Sequence, residues 1–129
     1  YGFMRSKGIG VAEDQGEGEQ WYREAAYWFR EEALGGEGIS ANNLGYLYAK
    51  GLGVPENPET AAEWFEQASE NGSIAALYNL GVCYLNGWGV DQSDEMAVEY
   101  LHRASEQNDP SAASVLAYLY LVGRGVRRD

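Results

Sequence analysis

The residues with the greatest chemical potential are few. The chain carries one histidine, His102, and one cysteine, Cys83. A thiol and an imidazole are the least that nucleophilic acyl transfer requires, and the imidazole needs a third group to orient it. Cys83 sits between Val82 and Tyr84 in an apolar run, the setting of a small buried hydrophobe. His102 stands two residues beyond Tyr100 and reads as a surface or helix-end histidine. One His and one Cys cannot assemble a histidine-rich or Cys-x-x-Cys metal site. The adjacent carboxylates Glu31 and Glu32 read as helix-surface charge, without a pocket to tune them as acid and base. Gly35-Gly36-Glu37-Gly38 lacks both the Gly-Lys-Ser/Thr ending and the preceding strand of a phosphate loop. No catalytic residue, metal ligand or cofactor is expected, and a hydrolase is only a minor alternative.

Binding chemistry is better represented, and it recurs. The string Leu-Gly-x-x-Tyr-x-x-Gly-x-Gly-Val runs from Leu44 to Val54 and again, 36 residues later, from Leu80 to Val90. A third copy spans Leu116 to Val126 with Ala117 replacing the first glycine, and a degenerate copy opens the chain from Tyr1 to Val11. A fixed period of this size is the mark of a stacked-repeat solenoid. The partner half of each unit keeps register: Trp28-Phe29, Trp64-Phe65 and Tyr100-Leu101 align, as do Ala25, Ala61 and Ala97.

Each unit reads as two helices. Leu44, Leu47 and Tyr48, then Leu80, Cys83 and Tyr84, have the spacing of one helical face. Gly51, Gly87 and Gly123 follow the last apolar turn, where a left-handed C-terminal cap favours a residue without Cβ. Asn57-Pro58, Ser93-Asp94 and Asp109-Pro110 read as N-terminal caps. The first spacer is longer: Gly8 to Gly51 is 43 residues, so seven extra residues lie before Trp28. They fall in the acidic, glycine-rich stretch 12–21, which is expected to be an enlarged surface loop. The fold class is all-α. The organisation is a single domain over 1–129: a partial repeat 1–38, repeats 39–74 and 75–110, and a partial repeat 111–129. The chain is expected to be a piece of a longer protein.

The repeated block, the 36-residue period and the Ala-x-x-Trp-Phe-x-x-Ala-x-x-x-Gly stretch from Ala61 to Gly72 resemble the Sel-one-like repeat (SLR) family, a relative of the tetratricopeptide repeat. The resemblance covers nearly the whole chain. Departures are the insert after Val11, Arg5 where the motif wants an aromatic, Ala117, and the absence of the paired cysteines of one secreted branch. The resemblance implies a right-handed α-solenoid of antiparallel helix pairs that serves as an adaptor or assembly platform. It further implies that the first helices line the concave side. The repeated Leu, Gly and Tyr positions are then packing, and the varying stripe is what a ligand would meet: Asn43, Tyr46 and Lys50; Asn79, Val82 and Asn86; Val115, Tyr118 and Val122. Offsets of three and four place each trio on one stripe. Asn43 and Asn79 could hydrogen-bond a peptide backbone or a neighbouring repeat. Tyr46 and Tyr118 offer the amphipathic area enriched at hot spots. Trp88, in the variable slot of its Gly-x-Gly turn, is either a further contact or a buried loop anchor.

Charge is segregated. The formal net charge is −11, yet residues 1–12, 38–55, 71–90 and 110–128 contain no Asp or Glu. Six of the nine basic residues lie there: Arg5, Lys7, Lys50, Arg124, Arg127 and Arg128. The acids crowd the second helices, as at Glu59, Glu63, Glu66 and Glu70, where they form a solvated outer face. A neutral to weakly basic inner face would accept a protein or peptide, neutral or acidic. A negative field without a basic, aromatic-interleaved stripe disfavours nucleic acid. No apolar run approaches the ~20 residues of a membrane helix. The unpaired cysteine leans toward the cytoplasm, with the periplasm left open. Two classes follow: an interaction scaffold using the concave groove, or a self-assembling array using its ends or acidic convex face.

Overall fold

A computed structural model describes residues 11–125, with side chains from Gly18 onward. Six helices follow one another: α1 (Val11–Leu34), α2 (Gly38–Lys50), α3 (Pro58–Glu70), α4 (Ile74–Asn86), α5 (Asp94–Glu106) and α6 (Pro110–Val122). No strand occurs among the described residues. Each helix packs chiefly on those before and after it, the quasi-one-dimensional stacking of a solenoid. The degenerate copy over 1–10, with Arg5 and Lys7, lies outside the described residues, as do Val126, Arg127 and Arg128.

The expected caps are where the sequence puts them. Asn57 Oδ1 accepts from the Thr60 amide and Ser93 Oγ from the Met96 amide, both at 3.1 Å. Asp109 Oδ1 accepts from the Ser111 amide at 3.1 Å, and Pro58 and Pro110 occupy first-turn positions whose missing N–H costs nothing. At the other end Gly51, Gly87 and Gly123 take φ of 68°, 65° and 73°. The loops then close the same way: the Leu52, Trp88 and Arg124 amides donate to the carbonyls of Leu47, Cys83 and Leu119.

The stretch 12–21 is not a loop. It is the N-terminal part of α1, so the insertion lengthens a helix. In repeat register α3 and α5 begin after the caps Asn57 and Ser93, and the aligned residue in α1 is Trp21, which cannot cap an amide. With no stop signal at that point the helix runs on upstream through Ala12, Glu13, Gln15, Glu17 and Glu19. These are good helix formers whose acids suit a helix N-terminus, outweighing a cost of about 1 kcal/mol for each of Gly16 and Gly18. Glu19 is used directly: its carboxylate accepts from the Gly53 amide at 2.8 Å.

The core is built from the repeated positions. Leu44, Leu80, Leu101 and Leu119 are the largest fully buried side chains, with Ala61, Ala68, Ala97 and Ala104 between helices. The motif glycine explains the close pairing within a unit. A Cβ at Gly45 would fall 2.7 Å from the Phe65 ring, and one at Gly81 2.6 Å from Leu101 Cγ. Ala117, the exception in the third copy, is exposed. Glu59, Glu63, Glu66 and Glu70 of α3, and Glu95, Glu99 and Glu106 of α5, are all exposed.

Candidate functional site

Between consecutive first helices, α2 and α4, lies a cleft of about 550 Å³. From α2 it receives Tyr46, Ala49 and Lys50, and from α4 Tyr78, Asn79, Val82 and Cys83. Phe65 of α3, which also seats against Gly45, contributes from below, while Trp88 and Glu56 come from the two flanking loops. The lining is mostly aromatic and aliphatic with a few polar groups, the make-up of a recognition site.

Local sequence sets each contribution. Tyr46 is half exposed because it lies one residue past the Leu44-Gly45 pair that faces α3. The Lys50 ammonium stands 5.8 Å from the Tyr46 ring centroid, at the outer reach of a cation–π contact. Lys50 makes no ion pair among the described residues. Asn79 donates from Nδ2 to Asn42 Oδ1 at 2.9 Å, a rung between neighbouring first helices. Asn79 Oδ1 and the remaining amide hydrogens of both side chains are left for another partner. Trp88 packs against the core and also lines the cleft. The cleft floor is neutral, because burial pushes the Cys83 thiol up to about 11. That suits a structural cysteine and not a nucleophile.

Thus Tyr46, Lys50, Asn79, Val82 and Trp88 are brought together. Asn43 is half-buried and stands outside the cleft; its neighbour Asn42 makes the inter-repeat bond instead. Asn86 is exposed and turns back to donate to its own helix at the Val82 carbonyl. Tyr118 and Val122 are exposed on α6, and Val115 packs into the core beneath them. Ala49, Phe65, Tyr78 and Cys83 belong to the cleft although the variable stripe omitted them. A seam between two helices takes one flank from each, so residues facing the neighbouring unit also line it. The one signal available was size: Ala49 aligns with Leu85 and Leu121, and Cys83 with Leu47 and Leu119.

His102 is exposed, 3.5 Å from Glu106 one turn on, and remote from the cleft lining. No group of His, Cys, Asp or Glu able to hold a metal occurs among the described residues, and no described helix is long and apolar enough to cross a membrane.

The Sel1 repeat model matches residues 1–27, 38–73, 74–109 and 110–129. The chain belongs to the Sel1 repeat family. Sel1 repeats generally serve as protein-interaction scaffolds and are typically non-catalytic. Among solved structures, the chain is similar to a protective antigen present in uropathogenic Escherichia coli strains that displays an SLR fold. The TM-score is 0.81 at 34% identity, covering 83% of this chain and 23% of that one. It is also similar to a Sel1 repeat protein from Oxalobacter formigenes, with TM-score 0.71 and 37% identity over 73% of this chain and 39% of that one. The chain therefore spans less than half the length of either structure. No match is found among curated proteins.

Proposed function

We propose that this Sel1 repeat chain is an interaction scaffold that holds an extended protein or peptide segment against its first helices, with the α2–α4 cleft as the contact site. The observation that carries the reading is convergence: of the ten candidate residues taken from the variable positions of the first helices and their loops, five line one cleft. Around them the first helices carry no carboxylate, whereas α3 and α5 expose rows of glutamate on the outside. An acidic segment is repelled by the outer face, and a neutral or acidic one is accepted by the inner face. Nucleic acid and membrane insertion have no place in this account.

The test compares capture of a partner by the purified chain and by a Tyr46→Ala/Val82→Glu variant, with circular dichroism to establish that both are folded. A partner held by the native chain and lost by the variant supports the cleft. Equal retention overturns the assignment, and recovery of further copies of the chain alone would transfer the function to self-assembly.

A further inference from the structure

Two side chains in the cleft are smaller than their counterparts in the other units. At the position of Ala49 the other units carry Leu85 and Leu121, and at the position of Cys83 they carry Leu47 and Leu119. In the seam between α4 and α6 the corresponding pair, Leu85 and Leu119, packs into the core. In the α2–α4 seam the same two positions are both small, and they line the cleft together with Phe65. Unfilled space between helices normally costs stability, so two small residues facing each other across a seam call for a reason.

We propose that the Ala49–Cys83 opening is a socket for one large apolar side chain, aromatic or leucine-like, of an extended peptide that carries an acidic residue beside it. This rests on the peptide-binding reading above and narrows it to a sequence class. The walls, Tyr46, Tyr78, Val82 and Trp88, favour an apolar occupant, and the neutral Cys83 thiol puts no charge beneath it. At the mouth Lys50 is half of the polar recognition: its ammonium has no carboxylate partner among the described residues, and no acid occurs in 38–55 or 71–90. An acidic side chain next to the inserted residue supplies that partner. Glu56, also at the mouth, is suited to accept a peptide N–H. The Asn42–Asn79 rung offers further donors and an acceptor to the peptide backbone.

The test selects a phage-displayed library of random short peptides on the whole chain and measures the enriched peptides by fluorescence anisotropy. The native chain is expected to enrich a large apolar residue adjacent to Asp or Glu. An Ala49→Leu/Cys83→Leu variant, which brings in the leucines of the α4–α6 seam and is checked for its fold by circular dichroism, should bind them about tenfold to a hundredfold more weakly. Lys50→Glu, at an exposed position in the last turn of α2 and with folding checked by circular dichroism, should shift selection from acidic to basic neighbours, and Glu56→Gln should not. Peptides that bind the filled variant undiminished but are weakened by Tyr46→Ala/Val82→Glu would overturn the socket and leave the groove reading standing. Failure to enrich any peptide, or enriched peptides indifferent to every groove substitution, would overturn both. Enrichment that ignores Lys50→Glu would overturn the acidic-neighbour requirement.

Discussion

The second glycine of each loop is where one repeat locks onto the previous one, and replacing Gly89 by alanine measures that lock. Gly89 has φ of 77° and Gly72 has φ of 95°, a conformation that costs a non-glycine residue about 1–2 kcal/mol at either site. Their surroundings differ. A Cβ at Gly72 meets nothing within 4 Å, whereas one at Gly89 would fall on the Pro58 carbonyl, 2.7 Å from its carbon and 3.2 Å from the Glu59 nitrogen. Those atoms belong to the first turn of α3, held by the Asn57 cap, so the loop must retreat from the neighbouring repeat. Overpacking of this kind adds about 1–3 kcal/mol. Gly72→Ala should therefore cost about 1–2 kcal/mol and Gly89→Ala about 2–5 kcal/mol. With a urea slope of about 2 kcal/mol per molar, the two midpoints separate by about 1 M. Urea unfolding followed by circular dichroism reads this directly. Coincident midpoints would refute the idea that the loop glycine serves inter-repeat contact as well as its own backbone geometry.

Other consequences are simpler to check. Asn57→Ala removes the bond to the Thr60 amide and should lower stability by about 1 kcal/mol; an unchanged thermal midpoint would speak against the cap. Cys83, buried with its thiol raised to about 11, should react with iodoacetamide only as the chain opens, so labelling should accelerate in urea; rapid labelling of the native chain would contradict its burial. The Arg124 hydrogen bond, followed by that from Gln92, holds the Asp94 carboxyl below the ordinary carboxylate range. Because the folded value is lowered, this contribution is present above the ordinary range and fades as pH falls through the lowered value. The advantage of the native chain over Arg124→Ala should accordingly shrink on acidification below the ordinary carboxylate range, and a constant difference would exclude the pair as its source.

The architecture was legible because packing repeats. Leucine, glycine and tyrosine positions, caps and loop glycines recur at one offset, and each recurrence reports a contact that every unit must make. Stretch 12–21 has the glycine and acid content of a loop, but the informative feature is what is missing: no capping residue stands at Trp21 to start the helix there. The cleft was half legible. Variation between repeats pointed to Tyr46, Lys50, Asn79, Val82 and Trp88, since residues outside the packing face are free to differ. Repeat alignment pairs Asn43 with Asn79, whereas the stagger between helices sets Asn42 against Asn79. Ala49 and Cys83 escaped notice because a small residue at a packing position looks like more packing, and only the facing helix reveals the space it leaves.

The central claim is that a partner segment lies against α2 and α4. The most direct measurement places a photoreactive benzoylphenylalanine at Val82 in the cleft or at Glu63 on the outer face of α3, then maps crosslinked partner residues by mass spectrometry. Crosslinks are expected from Val82 to one short continuous segment of the partner, and none from Glu63. Crosslinking from Glu63, with Val82 silent in a folded chain that still binds, would contradict it.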